Sequence, residues 1–152
     1  MLGTPPPTPD TSGRPLVSII IPHYNGIEIV SECLDSLKAS TFTDKEVIVV
    51  DNASEDGSTE WIEQNHSEVL LLRNRINEGY AGGCNKGAEM AKGEFLLFLN
   101  NDTVHEIGWL EPLVEELRTN PETASVQPKI LNYFDRRLFD YAGACGGALD
   151  IL

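Results

Sequence analysis

Four short apolar runs, at residues 16–21, 46–50, 69–72 and 94–99, each stop on polar residues and each lead into a segment with helical spacing or small residues. That alternation leaves few folds open. Strands alternating with helices build an α/β domain with a largely parallel sheet. Parallel strands are covered on both faces, which accounts for near-continuous runs of Ile, Val, Leu and Phe rather than an in–out alternation. Ile27, Val30, Leu34 and Leu37 recur at three- and four-residue spacing and predict an amphipathic helix. Residues 59–65 predict a short helix carrying Trp61 and Ile62. Gly79, Gly82, Gly83 and Gly87 predict a turn running into a closely packed helix. Trp109, Leu110, Leu113, Val114 and Leu117 mark a further helix that Asn120-Pro121 ends. Residues 124–130 and 138–142 are weaker strand candidates around a polar turn at 132–136.

Pro5-Pro6-Pro7-Thr8-Pro9 lies in a stretch of Ser, Thr and Gly that cannot pack a core, so residues 1–14 read as a flexible tail and 15–152 as one domain. The 24 acidic side chains against 11 basic ones give a net charge of −13, which argues against non-specific nucleic-acid binding. Cys33, Cys84 and Cys145 are odd in number, widely spaced and outside any CxxC pattern, as expected of buried thiols in a reducing compartment. No stretch reaches the roughly 18 apolar residues of a membrane span. The expected location is the cytoplasm, with peripheral association at the inner face of a membrane as the variant.

Ligands of parallel α/β sheets bind beyond the carboxyl ends of the strands. Here those ends carry Pro22, His23, Tyr24 and Asn25, then Asp51 and Asn52, then Arg73 and Asn74, then Asn100, Asn101 and Asp102. An aromatic ring, two carboxylates, a guanidinium and several amides suit a nucleotide. The run Phe95-Leu96-Leu97-Phe98-Leu99 reads as a buried strand that delivers Asp102 to this edge. Each piece also has a plain structural reading. Tyr24 can be a loop aromatic, Asp51 a turn former, Arg73 a solvated charge, and Asp102 a cap for the turn with Thr103. It is their convergence that favours a site. Neither G-x-G-x-x-G after the first strand nor G-x-x-x-x-G-K-[ST] occurs. His66 and His105 show no zinc-ligand spacing and are expected at the surface.

The segments Val17-Ser18-Ile19-Ile20-Ile21-Pro22-His23-Tyr24-Asn25, Val47-Ile48-Val49-Val50-Asp51-Asn52-Ala53-Ser54-Glu55-Asp56-Gly57-Ser58, Asn77-Glu78-Gly79-Tyr80-Ala81-Gly82-Gly83-Cys84-Asn85-Lys86-Gly87 and Phe98-Leu99-Asn100-Asn101-Asp102-Thr103 resemble, in order and spacing, the family 2 glycosyltransferases of the GT-A fold. The rhamnosyltransferase-like branch is the nearest in pattern. The resemblance implies a Rossmann-like α/β domain, a mostly parallel sheet flanked by helices, that binds a nucleotide-diphosphate sugar. Pro22, Tyr24, Asn25, Asp51 and Asn52 would hold the nucleotide, with Glu28 one helical turn behind. A UDP- or dTDP-sugar is expected, since Asp51 would accept the same pyrimidine N–H from either. Arg73, Gly82 and Asn85 would line the nucleoside and diphosphate. Asn100-Asn101-Asp102 would stand in for the family's D-x-D motif, with Asp102 and Asn100 as ligands of Mg2+ or Mn2+.

In the family the general base that activates the acceptor hydroxyl belongs to a later acidic motif. Asp135, Asp140 and Asp150 do not sit in that pattern. The chain is therefore expected to be the nucleotide-sugar part of an enzyme of cell-surface polysaccharide synthesis, truncated before the half that binds a glycan or lipid-linked acceptor. It is expected to be inactive alone and open to self-association through apolar surface near its C-terminus. The alternative reading is a module that binds a nucleotide or a nucleotide sugar without chemistry.

Overall fold

The computed structural model describes residues 13–141, and residues 1–12 of the expected N-terminal tail, Cys145 and Asp150 lie outside them. The described residues fall into two compact units. One holds the residues up to Ala39 together with Thr43–His105, and the other holds Ser40–Phe42 and the residues from Glu106 onward.

The first unit is a four-stranded, wholly parallel sheet. Its elements are β1 (Val17–His23), α1 (Ile27–Lys38), β2 (Lys45–Asp51), α2 (Ser58–Asn65), β3 (Leu70–Arg73), α3 (Gly79–Met90) and β4 (Phe95–Phe98). The strand order is β3-β2-β1-β4, so β1 and β2 are central. Every residue of β1 is buried, as its run of β-branched residues requires. Ile19, Ile20, Ile21, Ile48, Val49 and Val50 form the core with Val30, Cys33, Leu34 and Leu37 of α1 and Ile62 of α2.

β1 continues through Pro22, where the sequence suggested an end. Pro22 has no N–H to give to a neighbouring strand, so it belongs at a sheet edge. Here the β4 ladder on that side stops at Ile20, whose carbonyl accepts the Leu99 N–H. On the other side, the His23 carbonyl accepts the Asn52 N–H and keeps β1 and β2 paired to their tips.

α3 lies on the sheet face that carries Ile20, Pro22 and Val50. A Cβ on Gly83 would come within 2.9 Å of Pro22, and one on Gly87 would collide with Ile20. Two glycines one helical turn apart thus let the helix sit directly on β1. Helix α2 covers the opposite face, where the His23 ring bonds to Ser58.

β4 departs from expectation. It is an edge strand with alternating exposure, and Leu96 and Phe98 are each 46% exposed. They share the face of Ser18 and Ile20, their register partners. Two histidines expected at the surface are also inside. His66 is buried against Trp61, with Asp35 and Glu68 oxygens each 3.3 Å from its ring nitrogens. His105 is half-buried beneath Ser36 and Thr103.

The second unit holds α4 (Glu111–Thr119), entered through Leu110 with Pro112 in its first turn. Proline is tolerated there because that N–H has no helical partner. It also holds a short antiparallel hairpin of β5 (Ile130–Leu131) and β6 (Phe139–Tyr141). Asn132 Oδ1 accepts the N–H groups of Phe134 and Asp135 and so closes the hairpin turn. The strand expected over 124–130 is confined to its last residue. The stretch before it is irregular, with Pro121 and Pro128 at its ends removing ladder donors. Among the described residues no helix is long and apolar enough to cross a membrane.

Candidate functional site

The carboxyl ends of β1, β2 and β4 lie side by side, and the loops after β1 and β2 turn on left-handed residues. Gly26 and Gly57 precede α1 and α2 with φ of 91° and 82°, a left-handed conformation that costs glycine little. Neither helix has its own capping side chain. Asp56 caps both. Its Oδ2 accepts the Gly26 N–H (2.6 Å) and the Ile27 N–H (3.2 Å), and its Oδ1 accepts the Ser58 hydroxyl (2.6 Å) and N–H (3.1 Å). Burial pushes this carboxyl up, but the bonds from Ser58, Gly26 and Ile27 outweigh it and hold the pKa down to about 2. Asn25 adds a second brace. Its N–H donates to Ser54 Oγ at 2.8 Å, and its Oδ1 accepts the Glu55 N–H at 3.0 Å.

Asp51 is buried at the tip of β2, and both its oxygens lie 3.2 Å from the Ser54 N–H. The turn it closes contains Ala53 in the left-handed region (φ 65°), a strained conformation for a residue with a Cβ. The turn-forming and site readings of Asp51 therefore coexist. Asn52, also buried, ties β2 to the next two elements. Its Oδ1 accepts from Asn74 Nδ2 at 2.9 Å, and its Nδ2 donates to the Gly79 carbonyl at 3.2 Å. Lys86 of α3 donates to Asn74 Oδ1 at 2.9 Å and pairs with Glu78. Pro22 and Asn52 both border Gly83.

The turn after β4 is anchored through its backbone and its middle residue. The Asn100 carbonyl accepts the Thr103 hydroxyl at 2.9 Å and the Cys33 thiol at 3.9 Å. Burial raises the Cys33 pKa to about 11 and keeps it a thiol donor. Thr103 Oγ1 in turn meets His105 Nε2 at 3.2 Å, while His105 Nδ1 meets Ser36 Oγ at 2.8 Å. Burial lowers the His105 pKa to about 4, so this ring is neutral at pH 7. Asn101 Nδ2 lies 3.0 Å from His23 Nδ1. Asn100 and Asp102 themselves are exposed.

Not all the expected residues are assembled. His23, Asp51 and Arg73 are register partners on one face of the sheet. From there the Arg73 guanidinium pairs with Glu60 (3.3 Å) and Glu63 (3.0 Å) of α2. Gly82 and Asn85 belong to α3 on the other face, and there it is Gly83, not Gly82, that touches Pro22. Tyr24, Glu28 and Asn85 are exposed. An open hollow lined by Arg14, Asp44, Glu46 and Lys92 lies at the opposite, amino end of the strands and has no part in this rim. Sequence reasoning missed Asp56 as a double cap and His23 as a link. Asp56-Gly57-Ser58 ahead of an apolar-periodic segment was the available signal for the first.

The donor set suits a hard cation. Among the described residues no three His, Cys, Asp or Glu side chains form a ready-made cage. Asp102 and Asn100 offer one carboxylate and one amide oxygen. Mg2+ is commonly bound by one or two carboxylates while phosphate oxygens and water complete the shell, and Mn2+ shares that preference for oxygen. The residues present fit a hard divalent cation that draws its remaining oxygen ligands from water or a bound ligand.

The family model described as "Glycosyl transferase family 2" matches residues 18–142. A poly(ribitol-phosphate) beta-glucosyltransferase of Bacillus spizizenii is 38% identical over 92 residues, covering 57% of this chain and 14% of that protein. Among solved structures, the mannosyltransferase PcManGT from Pyrobaculum calidifontis, in complex with GDP-Man and Mn2+, superposes with a TM-score of 0.53 and 31% identity over 64% of this chain and 30% of its own. TarS 1–349 from S. aureus, in complex with UDP, shares the fold with a TM-score of 0.64 and 23% identity over 76% of this chain and 39% of its own. The chain spans well under half the length of the curated relatives it matches.

Proposed function

The chain belongs to glycosyl transferase family 2, and from that premise we propose that it is the donor-binding part of an inverting transferase that moves a sugar from a nucleotide-diphosphate sugar to an acceptor hydroxyl. One observation carries the reading most directly. Three strand ends converge on a rim where buried Asp51 and Asn52 lie across from the exposed Asn100 and Asp102.

Pro22, Asp51 and Asn52 form the nucleoside side. Asp51 keeps acceptor capacity beyond the Ser54 N–H and takes a pyrimidine ring N–H. Tyr24 and Asn25 border the base from the β1–α1 loop. Asp102 and Asn100 form the diphosphate side and hold Mg2+ or Mn2+. When bound, that ion supplies positive charge where the leaving diphosphate gains negative charge. The base that deprotonates the acceptor and the surface that binds a glycan or lipid-linked acceptor are assigned to the remainder of a longer protein, as the short coverage of its relatives supports. The ribitol-phosphate polymer named for one relative is in keeping with a polymeric acceptor; a cell-surface product and a place at the cytoplasmic face of the membrane are part of the proposal.

Calorimetry with UDP, dTDP and GDP, each with and without Mn2+, tests the proposal. UDP and dTDP should bind, at least tenfold more tightly with Mn2+, and both more tightly than GDP. Absence of binding by all three would overturn it.

A further inference from the structure

His23 is almost fully buried, at 1% exposure, yet both its ring nitrogens are engaged. Nε2 lies 2.8 Å from Ser58 Oγ, and Nδ1 lies 3.0 Å from the Asn101 side-chain amide. Counting protons fixes the direction of this chain. Ser58 has one hydroxyl proton, and its oxygen is 2.6 Å from Asp56 Oδ1. Asp56, an ionised carboxylate, can only accept, so the Ser58 proton points to it. Ser58 Oγ must then accept from His23, which places the imidazole proton on Nε2. Nδ1 is left as an acceptor, and Asn101 must present its NH2. The series Asn101 → His23 → Ser58 → Asp56 runs one way, ending on the carboxylate that caps α1 and α2. The lowered pKa of His23, due to burial and only partly opposed by Asp51 and Asp56, agrees with a neutral ring.

We propose that His23 is a positioning residue: by accepting the Asn101 amide it orients the turn that presents Asn100 and Asp102, and it fixes that turn to the shared cap of α1 and α2. The inference rests on the reading of this turn as the cation and diphosphate side of the site. Asn101 is the only turn residue whose side chain, among the described contacts, reaches the sheet interior. Its neighbours on both sides are exposed. Asn101 is thus the side-chain anchor of the turn, beside the backbone bonds that the Asn100 carbonyl accepts from Thr103 and Cys33. A histidine buried only for packing would have no influence on the binding of ions at the rim.

Two measurements on the chain as it stands test this. Long-range 1H–15N NMR of the ligand-free protein should show His23 with the proton on Nε2. A proton on Nδ1 would overturn the assigned direction and the proposal with it. Calorimetry with UDP and Mn2+ should show that His23→Phe, which keeps an aromatic ring of somewhat larger size and removes both polar atoms, lowers the Mn2+-dependent gain in UDP affinity about tenfold and leaves the Mn2+-free affinity within threefold. His23→Asn, which restores an acceptor near Nδ1, should recover most of the gain. If His23→Phe does not fold, Asn101→Ala serves in its place with the same expected loss. A full Mn2+ gain in either folded variant would overturn the proposal. No UDP binding by the wild type would instead sink the underlying reading of the site, a distinguishable failure.

Discussion

β1 and β4 are adjacent parallel strands built from similar apolar residues, yet they end in different ways. β1 is buried along its whole length. The loop beyond it is cross-linked to the loop after β2 through Asp56, Asn25 and Ser54. β4 is half-exposed at the sheet edge, and the turn beyond it leaves Asn100 and Asp102 in solvent. The difference suits two kinds of ligand group. A nucleobase is recognised by hydrogen bonds of fixed direction, which need a rigid rim. A hydrated cation shared with a diphosphate brings its own oxygens and needs only an oriented carboxylate.

The largest expected effect breaks the comparison between the strands. Ile20→Ala, in the centre, should cost about 3 kcal/mol in urea denaturation, within the usual range for a buried branched residue. Phe98→Ala, on the exposed edge, should cost no more than about 1 kcal/mol. Equal losses would mean that β4 is as buried as β1.

Next in size is the double cap. Asp56→Ala should destabilise the protein by about 2 kcal/mol, since each helix N-cap contributes roughly 0.5–2 kcal/mol. The same carboxylate sets a pH dependence. Its folded pKa of about 2 lies below the ordinary 3.8, so its contribution is complete above about pH 4 and is lost as pH falls toward 2. Thermal melts of the wild type and Asp56→Asn should differ at pH 6 and converge near pH 2. A constant difference across that range would exclude the charge as the cause.

The smallest effect concerns Arg73. Exposed ion pairs contribute about 0–1 kcal/mol, and Glu60 and Glu63 already engage this guanidinium. Arg73→Ala should leave both stability and UDP affinity nearly unchanged. A tenfold loss of UDP affinity would restore Arg73 to the diphosphate side that its place in the sequence suggested.

The strands and helices of the first unit were legible because their periods are local. A run such as Ile19-Ile20-Ile21 or a three–four spacing from Ile27 to Leu37 is readable within a dozen residues. Whether a run sits in the centre or at the edge is not local. Phe95 to Leu99 looks as buried as β1 until the strand order is known. The bonds that shape the site were hidden for the same reason. Asp56 reaches Gly26 across 30 positions, and Asn101 reaches His23 across 78. Polar residues at strand ends announced that a rim exists. Where each side chain is engaged depended on partners such as Glu60 and Glu63, which the spacing of Arg73 does not reveal. His66 and His105 read as polar surface residues because their partners, Asp35 and Ser36, lie on α1, far away in the chain.

The central claim is that Asp102 and a divalent cation act together on the diphosphate at the end of β4. Titration of UDP into the wild type and Asp102→Ala, each with and without Mn2+, tests it in one cycle. Mn2+ should tighten UDP binding at least tenfold in the wild type and by less than twofold in Asp102→Ala, with the Mn2+-free affinities alike. An equal Mn2+ effect in both proteins would contradict the account.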